Sequence, residues 1–407
     1  MRRVVLCAVL TVVFAPSSAG AQSLMLTESD ALARLSSESP RARAIRATVE
    51  IARVDVLAAG RWPNPQLSVT RESVAGVTEY LTTVSQLLPI TGRRGLDIEA
   101  ASALVSATSS RADDELRRLR ADLRLTFGDL LSAQTREREL TSALERLRDL
   151  SQLLAKREKE GDAAGFDRLR AEREVFDVES DLIVAATDRA RAQAMLATFF
   201  GDAADPAQIV AVSSRASAPA VPTLDTLLQR AESTSGELMA ARHEIEAAGF
   251  ADRAADRRWV PEPEILAGTK TSSVGRGDVG SVVTLRGTIP LFDHAQPERA
   301  LAAARAAQAG ARAASFRVVL RGQVAALREA VIRRRAAAER YRGEAVSSAG
   351  QIERIAQVAY DAGERGILEL LDAYRIGASA RIRQTTLDFA VRQAEIELAF
   401  VSGWELP

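Results

Sequence analysis

The chain has 407 residues, 54 basic and 54 acidic side chains, and only 4% aromatic residues. A formal net charge of zero leaves no basic excess to release counterions, which argues against nucleic acid as a partner. Long stretches of Ala, Leu, Arg and Glu fit extended helical packing better than a compact, aromatic-cored enzyme.

Arg2 and Arg3, the apolar run from Val4 to Phe14 and the Ala19-Gly20-Ala21 pattern read as a secretory signal over residues 1–21. The apolar run is too short for a transmembrane helix. Cys7, the one cysteine, leaves with the signal, so the mature chain has neither a disulfide nor a thiolate ligand. No later run of 18 apolar residues anchors the chain, which leaves a periplasmic protein, a secreted protein or a membrane β-barrel.

Residues 28–60 carry helical spacing through Ala31, Leu32, Leu35, Ile45, Val49 and Val56. A capping-box variant at Thr27 and Asp30 opens this helix, and Trp62-Pro63-Asn64-Pro65 stops it. Leu67, Val69 and Arg71 then alternate with Gln66, Ser68 and Thr70, the period of a strand. A turn at Gly76 leads into a second strand, so a strand pair is expected over about 66–88. From about 94 to 159 there is no proline, and leucines at 116, 119, 123, 140, 144, 147, 150 and 154 step by threes and fours, as in a coiled-coil seam. Such a helix spans roughly 90–100 Å. Gly161 and Gly165 bracket its end, and a return helix follows over about 166–200. Pro206, Pro219 and Pro222 mark an irregular linker over 206–222.

Residues 223–407 repeat the plan of residues 22–205. A helix is expected over 223–257, strands over about 264–289, a long helix over about 297–360, a turn at Gly363 and Gly366, and a return helix over 367–402. The landmarks recur in order. Arg61-Trp62-Pro63 returns as Arg258-Trp259 with Pro261, Leu88-Pro89 as Ile289-Pro290, and Gly161 with Ala171 as Gly363 with Ala373. Their offsets drift only from 197 to 202, the mark of a duplicated helix–strand–strand–long helix–helix unit.

Two hairpins give four strands with open edges, too few to close a barrel, whereas three chains would give twelve. On the last strand Val283, Leu285 and Ile289 alternate with Thr284, Arg286 and Thr288, so one face suits lipid and the other water. A half-buried strand of a soluble protein alternates in the same way.

Catalytic and ligand chemistry is sparse. His243 and His294 fall in different elements, far from the clustered spacing a metal site needs. Gly275-x-Gly277-x-x-Gly280 precedes a strand, not the helix a phosphate loop requires. Asp113-Asp114-Glu115 and Glu158–Glu160 read as solvated helix faces. No enzyme activity, cofactor or metal site is expected.

Trp62-Pro63-Asn64-Pro65-Gln66-Leu67, Gln86-Leu87-Leu88-Pro89-Ile90-Thr91-Gly92-Arg93-Arg94, Ile289-Pro290-Leu291-Phe292-Asp293 and Tyr360-Asp361-Ala362-Gly363 with Glu369-Leu370-Leu371-Asp372-Ala373 resemble the motifs of the TolC-like outer-membrane efflux channels, and among them the CzcC-type heavy-metal branch. The resemblance covers essentially the whole mature length. It implies a homotrimer in the Gram-negative outer membrane, with a twelve-stranded barrel in lipid and a helical tunnel through the periplasm. It also implies a periplasmic adaptor, an inner-membrane pump of the RND type and divalent metal cations as cargo. His294-Ala295-Gln296-Pro297 departs from the family pattern, in which a glycine often follows Asn-Gln.

By motif position the resemblance assigns a periplasmic gate to Glu369 and Asp372, as acidic rings, and to a link joining Asp167, Tyr360 and Arg365. It assigns the helix-tip turns, where the adaptor docks, to Gly161, Gly165, Gly363 and Gly366. Solvated helix-end charges and ordinary helix caps are the competing explanations. Competing functions are a multidrug or type I secretion channel of the same fold and a periplasmic coiled-coil adaptor or scaffold.

Overall fold

A computed structural model describes residues 24–35, 39–160, 165–201, 205–213, 219–275 and 277–405. The signal expected over 1–21, Cys7 and the tip glycine Gly161 lie outside the described residues.

The chain opens with strand β1 (Leu24–Leu26) and the short helix α1 (Glu28–Arg34). The capping box forms: Asp30 N–H donates to Thr27 Oγ1 at 3.2 Å, and Thr27 N–H donates back to the Asp30 carboxylate at 3.0 Å. The single helix expected over 28–60 is instead broken. Ser39 caps a new helix, α2 (Pro40–Ala59), accepting from Ala42 N–H at 3.2 Å with Pro40 in the first turn, where its missing N–H costs nothing.

Strands β2 (Gln66–Val74) and β3 (Val77–Leu87) form a hairpin. Ala75 and Gly76 both have positive φ (50° and 82°), as a two-residue turn matched to strand twist demands. Helix α3 (Arg93–Glu160) runs 68 residues, about 100 Å at 1.5 Å per residue, and α4 (Gly165–Ala197) returns along it. The linker then contributes β4 (Ile209–Ala211), which pairs in parallel with β1.

The second half repeats this layout with local differences. The helix expected over 223–257 is two: α5 (Leu224–Thr234) and α6 (Gly236–Asp256), with Ser235 ending one and capping the next through Leu238 N–H at 3.3 Å. Gly236 leaves room where a Cβ would run into the Ser110 carbonyl of α3. Strands β5 (Glu264–Ser272) and β6 (Val279–Arg286) form the second hairpin, and β6 stops three residues short of the expected Ile289. Helix α7 (Gln296–Tyr341) has Pro297 in its first turn and passes through a π-helical turn (Arg342–Val346) into α8 (Ser347–Asp361). Helix α9 (Ile367–Ser402) returns.

The hydrophobic core is three clusters strung along the helices. The first joins Leu26 and Ile209 to Leu123, Phe127, Leu130 and Leu196. The second gathers Leu227, Leu238, Leu320, Val324, Ile396, Leu398 and Trp404. The third lies at the far tip, where Leu147, Leu150 and Leu154 of α3 meet Ala171, Tyr360, Ile367, Leu370 and Leu371. Each of these leucines, truncated to alanine, would cost about 2–5 kcal/mol.

The four long strands form one antiparallel sheet in the order β2-β3-β5-β6, so the two hairpins join through β3 and β5. Gly268 of β5 pairs with Thr83 of β3, and a Cβ there would run into the Thr82 carbonyl oxygen. Strands β2 and β6 keep free outer edges.

Candidate functional site

The sheet has two chemically distinct faces, fixed by register, because directly paired residues point the same way. Leu67 pairs with Val84, Val84 with Ala267, and Ala267 with Val283; Gln86 pairs with Ile265, and Ile265 with Leu285. This face also carries Val69, Thr82, Thr269 and Val279, and at its far end Arg71 lies over the Tyr80 ring at 5.8 Å. Val283 is 79% exposed and Leu285 73%. The opposite face carries the charges: Lys270 meets Glu79 at 2.6 Å, and Arg286 meets Glu264 at 3.5 Å. Strands of eight to eleven residues with one apolar and one charged face have the length and alternation of strands that cross a bilayer. Among the described residues no helix is long and apolar enough to cross a membrane.

At the other end of the helices, the α8-to-α9 turn is a Schellman cap. Gly363 has φ 74°, its N–H donates to the Tyr360 carbonyl at 3.0 Å, and Glu364 N–H donates to the Ala359 carbonyl at 2.9 Å. A side chain at this φ would be strained. Gly366 precedes α9 in extended conformation, its α-carbon close to the Glu369 carboxylate. Gly165 starts α4 beside Glu158, whose carboxylate ties the end of α3 to Arg168 at 2.6 Å.

Tyr360 is buried in the tip cluster, and its hydroxyl accepts a 3.3 Å hydrogen bond from Arg157 of α3, whose guanidinium also lies 5.4 Å from the ring centroid. Among the described residues, neither Asp167 nor Arg365 bonds to Tyr360 within one chain. Asp167 is half-buried in the first turn of α4, where the helix dipole favours a carboxylate, and Arg365 is exposed. Glu369 and Asp372 lie three residues apart on the exposed side of α9, one turn above the other. Asp372 is matched within its own helix by Arg375 at 2.9 Å, whereas Glu369 has no ion pair among the described residues.

Four polar contacts that motif reasoning does not reach hold this end together. The Tyr374 hydroxyl donates to Gln357, whose amide donates to Asp361 at 3.1 Å. Burial holds the Tyr374 phenol above its ordinary pKa, so it stays a donor. Arg381 of α9 donates to both oxygens of Glu353 on α8, at 3.1 Å each, and to Glu139 on α3 at 2.8 Å. Burial opposes the charge on Arg381, but the two carboxylates outweigh it and raise its pKa. Gly377 makes this clasp possible, since a Cβ there would overlap the Glu353 carboxylate. A polar residue facing the seam of a coiled coil is the only sequence signal for such a clasp. Among the described residues no His, Cys, Asp and Glu cluster could hold a metal ion.

Residues 227–403 match the outer membrane efflux protein family. That match lies within the second repeat. The chain is also similar to the cobalt-zinc-cadmium resistance protein CzcC of Cupriavidus metallidurans, with 24% identity over 326 residues, 79% of this chain and 76% of that one. Its fold matches a membrane protein from Pseudomonas aeruginosa at a TM-score of 0.75 and 20% identity, covering 92% of this chain and 93% of the other. It matches CusC at a TM-score of 0.74 and 18% identity, covering 93% and 92%. The chain therefore shares the fold of these proteins along nearly its whole length.

Proposed function

We propose that three copies of this chain form a passive exit duct, with the hairpins closing into a twelve-stranded barrel in the outer membrane and the helices forming a periplasmic tunnel. The two-faced sheet with free edges on β2 and β6 carries the reading: its apolar face suits lipid and its edges suit the neighbouring copies. The helices support it. Leu169, Phe176 and Ile183 recur every seven residues along α4 and stand exposed, as do Ile352 and Ile355 on α8. The chain exposes 25504 Å², against roughly 15,000 Å² for a compact protein of its mass.

At the tip, Glu369 of three chains would form an acidic ring with Asp372 one turn away, and Asp167, Tyr360 and Arg365 would link neighbouring helix pairs. An adaptor would dock on the turns around Gly161, Gly165, Gly363 and Gly366, beneath which an inner-membrane pump of the RND type would supply cargo. The similarity to a cobalt-zinc-cadmium resistance protein supports divalent metal cations as that cargo. A passive duct has no use for a tight metal site or for catalysis, and repulsion within an acidic ring is relieved by passing cations.

The test is growth of a deletion strain, with and without a complementing plasmid, on divalent metals and on hydrophobic drugs. Complemented sensitivity to cobalt, zinc or cadmium is expected. Sensitivity to drugs alone would move the channel to the multidrug branch.

A further inference from the structure

The two repeats correspond residue by residue, because their buried positions keep phase. Leu119, Leu123 and Leu130 of α3 stand 201 residues before Leu320, Val324 and Val331 of α7, and all six are buried. Ala192 and Leu196 of α4 stand 202 residues before Ala394 and Leu398 of α9, again all buried. Within the chain α9 lies against α3: Arg381 reaches Glu139 at 2.8 Å, and Arg118 reaches Glu397 at 2.9 Å. The counterpart of α9 is α4 and that of α3 is α7, so the counterpart of this seam would join α4 to α7.

At that second seam the facing positions have changed in complementary pairs. Where Glu139 meets Arg381, the counterparts are Arg340 and Glu179, the same ion pair with its charges exchanged. Where Arg118 meets Glu397, the counterparts are Val319 and Met195, an apolar pair in place of a salt bridge. Val319 and Met195 are 50% and 51% exposed in the single chain. Arg340 is exposed too, with neither a hydrogen bond nor an ion pair among the described residues. Glu179 is held from one side by Arg148 of α3 at 2.5 Å, as Arg381 is held from one side by Glu353 of α8 at 3.1 Å.

We propose that Arg340 of one copy binds Glu179 of the next, and that Val319 packs on Met195 in the same seam. The proposal rests on the reading that three copies form a ring, and it adds which residues meet and in what register. Three copies place six repeats round one axis, so the outer side of each repeat is offered the partner that its inner side already has. Charge complementarity selects a second copy as the occupant. Glu179 would lie between two guanidinium groups, where Arg381 lies between two carboxylates. A slip of four residues along α7 would bring Ala336 or Glu344 opposite Glu179, so the pair admits a single register. The exchange also keeps the two seams apart, since Arg381 offered to Arg340, or Glu179 to Glu139, would set like charges together.

The test uses the full-length protein purified in detergent. Chains carrying Val319→Cys and chains carrying Met195→Cys, co-expressed, should be joined by a short bis-maleimide into dimers on boiled gels, and neither variant expressed alone should be. Wild type that is trimeric by light scattering while the two cysteines stay unjoined overturns the seam and leaves the duct reading standing. Wild type that is monomeric removes the duct and the seam together. For the ion pair, Arg340→Gln and Glu179→Gln should each speed loss of the trimer in warm SDS about tenfold, as loss of a charge-assisted hydrogen bond would. Both side chains reach solvent in the single chain, so neither variant removes a core contact. The double variant should be no faster than the faster single one, because the second substitution finds its partner already gone. Rates that multiply in the double variant overturn the pair, and so does an unchanged rate in Arg340→Gln.

Discussion

Replacing Gly377 by alanine should loosen the tip helices, although alanine is the better helix former. The methyl group would enter the space of the Glu353 carboxylate and force it off Arg381, which donates two 3.1 Å hydrogen bonds to it. Charge-assisted hydrogen bonds contribute about 1.5–3 kcal/mol each. With side chains 18% and 25% exposed, the lower figure applies, giving a loss of about 3 kcal/mol. The gain in helix propensity returns about 1 kcal/mol. The net cost of about 2 kcal/mol should speed amide exchange in α8 about 30-fold, measured by hydrogen exchange on the purified protein in detergent. In a Glu353→Ala background the same glycine substitution should be neutral or slightly protective, because nothing remains to be displaced. Gly377→Ala with α8 protected as well as wild type would refute the reasoning. So would a double variant whose losses simply add.

Gly268→Val should separate β3 from β5, where the two hairpins meet, and cost at least the 1–3 kcal/mol of an overpacked site; heat-resistant oligomer on gels should fall, and unaltered oligomer would count against the close approach. Glu369→Ala with Asp372→Ala should weaken block of single-channel current by multivalent cations. Because Arg375 already matches Asp372, the Glu369 substitution alone should carry most of the change, and equal effects of the two would contradict that ranking. Asp167→Ala with Arg365→Ala should raise conductance in planar bilayers; an unchanged open probability would remove the proposed link.

The duplicated plan is legible because its punctuation is chemical. Prolines at 63 and 65 and at 261 and 263 end the helices, alternation marks the strands, and a proline-free leucine series marks the long helix. What escapes the sequence depends on partners distant in the chain. β1 and β4 are three residues each and exist only by pairing with each other. The breaks at Ser39 and Ser235 are hidden because apolar spacing continues through them, although each serine is a favourable N-cap. At the tip the motif reaches Tyr360 but not Arg157, one basic residue among several at the end of a helix. Arg381 and Glu353 are likewise ordinary helical charges until α8 and α9 are laid side by side.

The π-helical turn at Arg342–Val346 gives the second copy a place to take up one residue within its long helix. The landmark prolines Pro89 and Pro290 stand 201 residues apart, but Ala171 and Ala373 stand 202 apart, so the second copy gains one residue between them. One residue added to a regular helix would rotate everything beyond it by about 100° and turn Tyr360 out of the tip cluster. Absorbed in a wider turn, it leaves the phase of the helix unchanged. Removing one residue from this turn should therefore leave the two halves equal in spacing, and the copy should still close at its tip.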